Sequence, residues 1–211
     1  MKSGVIKFKG IDFYNYPTSY ILKKISKGGY LTAPAASSLS SIHRNKEYYK
    51  ALKNATISIF DSGFFCLLIR LTLKKKIRKC SGYLLCKKFL NQVSIKNKRI
   101  LLIDPNKKEA LQNYHLLKKK NFSSFFSYVA PQYTKSLIEH DIKLFELIDR
   151  IKPHYILINI GGEVQEVLAY NINKNLKYKK ISILCLGAAI AFLTGSQARI
   201  TDKIDKFYLG W

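Results

Sequence analysis

The stretch "INIGGEVQEVLAYNI", residues 158–172, decides the fold. It opens as a buried, β-branched run, breaks at Gly161-Gly162, and resumes with apolar residues at helical spacing. A strand that passes into a helix through a glycine turn is the repeating step of an α/β domain. The same turn gathers Glu163, Gln165 and Glu166, two carboxylates and an amide in a chain with only 13 acidic residues.

The pattern extends in both directions. Downstream, "ISILCLG" (181–187) reads as a strand. Upstream, "RILLID" (99–104) is a strand closed by Pro105, "KKEALQNYHLLKKK" (107–120) a helix and "SFFSYVA" (124–130) a strand. "YTKSLIEHDIKLFELIDRIK" (133–152) then reads as one long helix, and "HYILINI" (154–160) as the strand that enters the opening stretch. In the first half, "YPTSYILKKISKGG" (16–29) is a helix, with Thr18 or Ser19 near its start and Gly28 just past its end, and "YLT" follows as a strand. "PAASSLSSIHRNKEYYKALKN" (34–54) is one or two helices. "TISIF" (56–60) is a strand ending on Asp61-Ser62-Gly63, "FFCLLIRLTL" (64–73) a buried helix, and "KKKIRKCSGYLLCKKFLNQ" (74–92) a basic loop leading into an amphipathic helix. Strands alternating with helices predict one α/β domain over residues 1–211, with a Rossmann-like, largely parallel sheet flanked by helices in a single unit.

The chain has 37 Lys plus Arg, a formal charge of +24, and 47% hydrophobic residues. That content supports a real core, and the charge points to an anionic partner: nucleic acid, an acidic membrane surface or phosphorylated ligands. Most of the cations are lysine, whereas the planar fork of arginine is the preferred reader of guanine. The run "KKKIRK" (74–79) also lacks the interleaved aromatics of a base-stacking surface, so nucleic acid is disfavoured. Cys66, Cys80, Cys86 and Cys185 form no Cys-x-x-Cys pair and read as reduced, buried thiols. His43, His115, His140 and His154 are dispersed, which predicts neither a metal cluster nor a Ser-His-Asp arrangement. "MKSGVIKFKG" has no apolar core of signal-peptide length, and neither "FFCLLIRLTL" nor "ILCLGAAIAFL" reaches the about 20 residues of a spanning helix. A cytoplasmic protein is the expectation.

In open α/β sheets ligands sit beyond the carboxyl ends of the strands. Four such ends carry polar or glycine punctuation, namely Thr32, Asp61, Gly161-Gly162 and Gly187, and they are expected to line one cleft. Gly161-Gly162 before a helix suits a nucleotide diphosphate, or serves only as a tight turn. Asp61 is placed to act as a general base, or to cap the next helix.

Together these pieces resemble the WecG/TagA/CpsF family of bacterial glycosyltransferases. "GGEVQE" keeps Gly161, Gln165 and Glu166 of its Gly-x-Pro-Lys/Arg-Gln-Glu stretch. "GAAIAFLTGSQARIT" keeps Gly187, Gly195 and Arg199 of Gly-x-x-x-Asp-x-x-x-Gly-x-x-x-Arg-Ala-Pro. "TAP" at 32–34 resembles its Thr-x-Asn, Asp61-Ser62-Gly63 its Asp-Gly turn, and "IRKCSG" its Glu-Arg-x-x-Gly, with Arg78 and Gly82 one position further apart. "FKGIDFYNYPTSYILKKI" looks like the family's first strand pair and helix.

The resemblance implies an inverting, metal-independent transfer of a hexose or N-acetylhexosamine, with no cofactor. The donor would be a UDP-sugar and the acceptor a polyprenyl-diphosphate-linked glycolipid, on the inner face of the cell membrane. It implies Asp61 as general base and Thr32 as a nearby substrate contact. Arg78, Gly161, Gly162, Gln165, Glu166, Gly187 and Arg199 would bind the donor. A homo-oligomer stays open. Pro34, Glu163, Leu84, Ala191 and Ile200-Thr201 depart from the family's Asn, Pro, Asp, Asp and Ala-Pro, which implies altered substrate preference or reduced catalysis. The chain ends at "YLGW", where typical members continue into a basic membrane-binding arm; the expectation is that this arm is absent or that lysines elsewhere replace it.

Overall fold

The computed structural model describes residues 4–40, 42–176 and 180–196, apart from the side chain of Phe64. A hairpin of β1 (Gly4–Phe8) and β2 (Ile11–Asn15) leads into α1 (Thr18–Ile25) and β3 (Gly29–Thr32). Next come α2 (Ala36–Ser40), α3 (Lys46–Lys53), β4 (Ile57–Ser58), α4 (Gly63–Leu73) and α5 (Gly82–Leu90). The second half runs β5 (Ile100–Asp104), α6 (Lys107–Lys119), β6 (Phe125–Val129), α7 (Lys135–Glu139), α8 (Ile142–Ile151) and β7 (Tyr155–Ile158). It closes with α9 (Val164–Asn175), β8 (Ser182–Cys185) and α10 (Ala189–Thr194).

The eight strands of the described residues form one sheet in the order β1-β2-β4-β3-β8-β7-β5-β6, parallel throughout except for the β1–β2 hairpin. The expected Rossmann-like α/β unit is therefore observed. The central strands β5, β7 and β8 are buried at every position, as strands covered on both faces must be. Strand periodicity divides their side chains between two cores. Ile100, Leu102, Leu157 and Leu184 meet α1, α5 and α10 on one face; Leu101, Ile103, Ile156, Ile158 and Ile183 meet α8 and α9 on the other. A third core lies where α3 and α4 pack on the hairpin, around Phe13, Phe60 and Phe65. Strand β6 follows β5 outward while β7 returns on the opposite side of β5, so the crossover direction reverses and the strand ends open between their loops.

Two sequence expectations are corrected. Residues 133–152 form two helices, because Asp141 caps a new one by accepting the Leu144 N–H at 3.1 Å. The hydroxyls of Tyr128 and Tyr133 donate to the same carboxylate at 2.8 Å and fix the break. The second correction is α4, expected to be buried: Phe65, Cys66 and Ile69 pack inward, but Leu67, Leu68 and Leu71 face out. Among the described residues no helix is long and apolar enough to cross a membrane.

Candidate functional site

A cavity of about 400 Å³ opens beyond the carboxyl ends of β3, β4 and β8, beside the first turn of α9. That volume is within the usual range for small-molecule sites. Asp61, Gly162, Gln165, Glu166 and Gly187 all line it. Residues more than a hundred positions apart are thus brought to one place.

Asp61 follows the apolar run that extends β4. The next residue, Ser62, caps α4, its Oγ accepting the Phe65 N–H at 3.3 Å. Asp61 is therefore not the cap of the helix it precedes. Its carboxylate reaches across to α5 and accepts the Gly82 N–H at 2.5 Å, while the residue stays half-buried at the cavity wall. The strand end that carries it is clamped from below. Thr32 accepts the Ile59 N–H at its carbonyl, 3.0 Å, and its hydroxyl lies 2.8 Å from that of Ser58. Thr32 is fully buried and lies outside the cavity lining, so three of the four expected strand ends meet the cleft and the fourth supports it from beneath.

Gln165, also in the lining, is held at both ends. Its Oε1 accepts the Gly187 N–H at 2.9 Å and its Nε2 donates to Glu166 Oε1 at 3.1 Å. Gly187 has φ +53°, a conformation that favours glycine, and this turns its N–H back to Gln165. Glu166 is 1% exposed, and its Oε2 has no hydrogen-bond partner among the described residues. Burial pushes this carboxyl up to about 7, against the pull of nearby amides and Gln165. Near neutral pH it is balanced between acid and carboxylate, with one oxygen left for a donor.

The turn before α9 differs from the expected glycine bend. Neither Gly161 nor Gly162 has positive φ, and a Cβ on either would meet nothing within 4 Å. The strained residue is Glu163, at φ 69° and ψ −48°. Its carboxylate accepts the Asn45 Nδ2–H at 3.0 Å, while Asn45 Oδ1 caps α3 through the Tyr48 N–H. Gly161 lies outside the lining and Gly162 within it.

Arg78 is also outside the lining. Its N–H donates to Asn15 Oδ1 at 2.8 Å, and Cys80, two residues on, donates to the Phe60 carbonyl at 2.9 Å; these bonds tie the segment beside the β4 end. Arg199 lies outside the described residues. The described lining contains no Lys or Arg, but the first turns of α5 and α9 border the cavity, and helix N-termini present positive potential to an anion.

Sequence reasoning missed Tyr48, whose hydroxyl faces Ser38 in the wall and is pushed well up by burial and then by Glu166 and Glu163. No spacing rule marks it. It also missed Asp104, fully buried at the end of β5, which accepts from Asn113 at 2.7 Å, Asn159 at 2.8 Å and Ser127 at 2.9 Å. Its position before Pro105 at a strand end was the available signal. All four cysteines are free and buried, with burial raising each thiol, Cys66 and Cys86 to about 12. Such thiols are poor nucleophiles. No group of three or more His, Cys, Asp or Glu among the described residues is arranged to hold a metal.

The model of the glycosyl transferase WecG/TagA/CpsF family matches residues 6–211, nearly the whole chain. The chain belongs to this family. No curated protein matches it. In this WecG/TagA/CpsF glycosyltransferase, one cavity gathers Asp61, which follows β4, with Gln165 and Glu166 of the first turn of α9.

Proposed function

We propose that the cavity holds a UDP-sugar and that the protein transfers its hexose or N-acetylhexosamine to a polyprenyl-diphosphate-linked acceptor during cell-surface polysaccharide synthesis. The observation that carries this reading is that Asp61 and the buried Glu166, whose Oε2 has no hydrogen-bond partner among the described residues, line one cavity bordered by the N-termini of α5 and α9. The diphosphate lies against those N-termini, and Arg78 and Arg199 are the cations assigned to it in this reading. Glu166 Oε2 accepts from a donor hydroxyl or imide N–H, and Gln165 positions Glu166.

Asp61 takes the proton of the acceptor hydroxyl as that oxygen bonds to the anomeric carbon. The bond from that carbon to the diphosphate oxygen breaks on the opposite face, so UDP leaves and the configuration inverts. Thr32 contributes by fixing the strand end beneath Asp61. In this reading no metal takes part, and the charge developing on the leaving group is met by helix N-termini and arginine.

A second reading, binding of a nucleotide sugar without turnover, has one observation in its favour. Ala191, where the family pattern has Asp, is a buried methyl on α10. A single experiment separates the two: calorimetry with UDP, and UDP release from UDP-N-acetylhexosamines and UDP-hexoses with and without a short-chain polyprenyl-diphosphate acceptor. Acceptor-dependent release supports transfer. Binding without release supports the second reading, and no UDP binding overturns both.

A further inference from the structure

Helix α4 has two apolar faces, and among the described residues only one of them is covered. Phe65, Cys66 and Ile69 pack into the core beneath the hairpin. On the other side Leu67, Leu68 and Leu71 are 44%, 40% and 78% exposed and form one stripe at i, i+1 and i+4 spacing. A surface helix ordinarily carries charged or polar residues there. The helix ends at Lys74, in the left-handed conformation at φ 50° and ψ 28°, and Lys74, Lys75 and Lys76 are all exposed. With Arg70 and Leu71 these lysines line a shallow cup of about 600 Å³.

The charge along this part of the chain is one-sided. Between Asp61 and Asp104 the chain has no Asp or Glu and 11 Lys or Arg residues. An apolar stripe running into three exposed lysines matches a surface that offers hydrocarbon beneath a layer of negative charge.

We propose that the outer face of α4 and the Lys74–Lys76 turn dock the protein on an anionic lipid bilayer. The leucines enter the boundary between headgroups and acyl chains, and the lysines meet lipid phosphates. Nucleic acid would satisfy the lysines and leave the leucines in water. A second copy packed symmetrically on this stripe would set two lysine runs against each other. Helix α4 begins one residue after Ser62, so docking brings the Asp61 side of the cavity near the membrane. That last consequence rests on the proposed lipid-linked acceptor.

The test is flotation of the full chain with vesicles of phosphatidylcholine alone and of an equal mixture with phosphatidylglycerol, without donor or acceptor. Binding is expected to the mixed vesicles only and to weaken in high salt. Leu67→Gln/Leu71→Gln should lower partitioning about tenfold or more. Lys74→Gln/Lys75→Gln/Lys76→Gln should lower it by about a hundredfold. Both variants should keep the wild-type melting temperature, because the replaced side chains face water. The proposal is overturned if either variant binds undiminished, if neutral vesicles bind equally well, or if the wild type is a dimer that Leu67→Gln/Leu71→Gln dissociates. These outcomes are independent of the transfer reading: loss of transfer in an Asp61 variant leaves vesicle binding intact, and failure to bind vesicles leaves UDP binding intact.

Discussion

After β4 the chain turns through Asp61-Ser62-Gly63; after β7 it turns through Gly161-Gly162-Glu163. Both turns deliver a carboxylate to the same cavity, in opposite surroundings. Asp61 keeps contact with solvent and receives an N–H from the neighbouring helix. Glu166 is almost wholly buried beside Gln165, with one oxygen unmet among the described residues and its carboxyl pushed up to about 7 by burial. Two carboxylates in unlike environments can divide the work, one taking a proton and the other holding a hydrogen-bonding group. The contrast arises from the turns themselves. Ser62 takes the capping role while Asp61 reaches α5, whereas no side chain among the described residues caps α9, whose first turn buries Glu166.

The largest effect is expected at Asp61. Asp61→Asn keeps an oxygen for the Gly82 N–H but removes the base, so transfer should fall about 10²–10⁴-fold while the melting temperature and UDP binding persist. Steady-state UDP release checks this, and a loss of UDP affinity equal to the loss of rate would make the two carboxylates alike.

Glu166→Gln should separate them by pH. In the wild type the folded chain holds a proton at Glu166 that the unfolded chain releases above the ordinary value of 4.5. This group's contribution to stability is complete below that value and is lost as pH rises through about 7. The variant lacks this loss, so its stability relative to the wild type should grow by roughly 3 kcal/mol from about pH 4 to about pH 8. Denaturant titrations across that range measure it, and a constant difference would contradict the buried, proton-holding state.

Gln165→Ala removes the partner of the Gly187 N–H and one of the donors to Glu166 Oε1, and should cost about 1–3 kcal/mol in unfolding free energy. The smallest effects are expected at the glycines. Gly161→Ala and Gly162→Ala should change stability by less than about 1 kcal/mol, since both have ordinary φ and open space around them. Only Gly162→Ala should weaken UDP binding, because only that residue lines the cavity.

The β7–α9–β8 region was legible because its strands are apolar at every position and its helix begins at a glycine break, which are local signals. The break at Asp141 was not, since Leu137, Ile138, Leu144 and Leu147 keep helical spacing across it and the deciding hydroxyls come from Tyr128 and Tyr133. Helix α4 is apolar nearly all round, so its pattern could not tell which face would stay in water. At the site, strand ends were the correct places to look. Which side chains turn into the cavity depended on contacts between distant segments: Ser58 holds Thr32 below the floor, and Gly187 holds Gln165 in the wall.

The most direct test of the central claim, that one nucleotide-sugar cavity joins Asp61 to Glu166, is calorimetric titration of wild type, Asp61→Asn and Glu166→Ala with UDP. The account expects UDP to bind wild type and Asp61→Asn with similar affinity and Glu166→Ala at least about tenfold more weakly. Equal binding by all three, or no binding by the wild type, would contradict it.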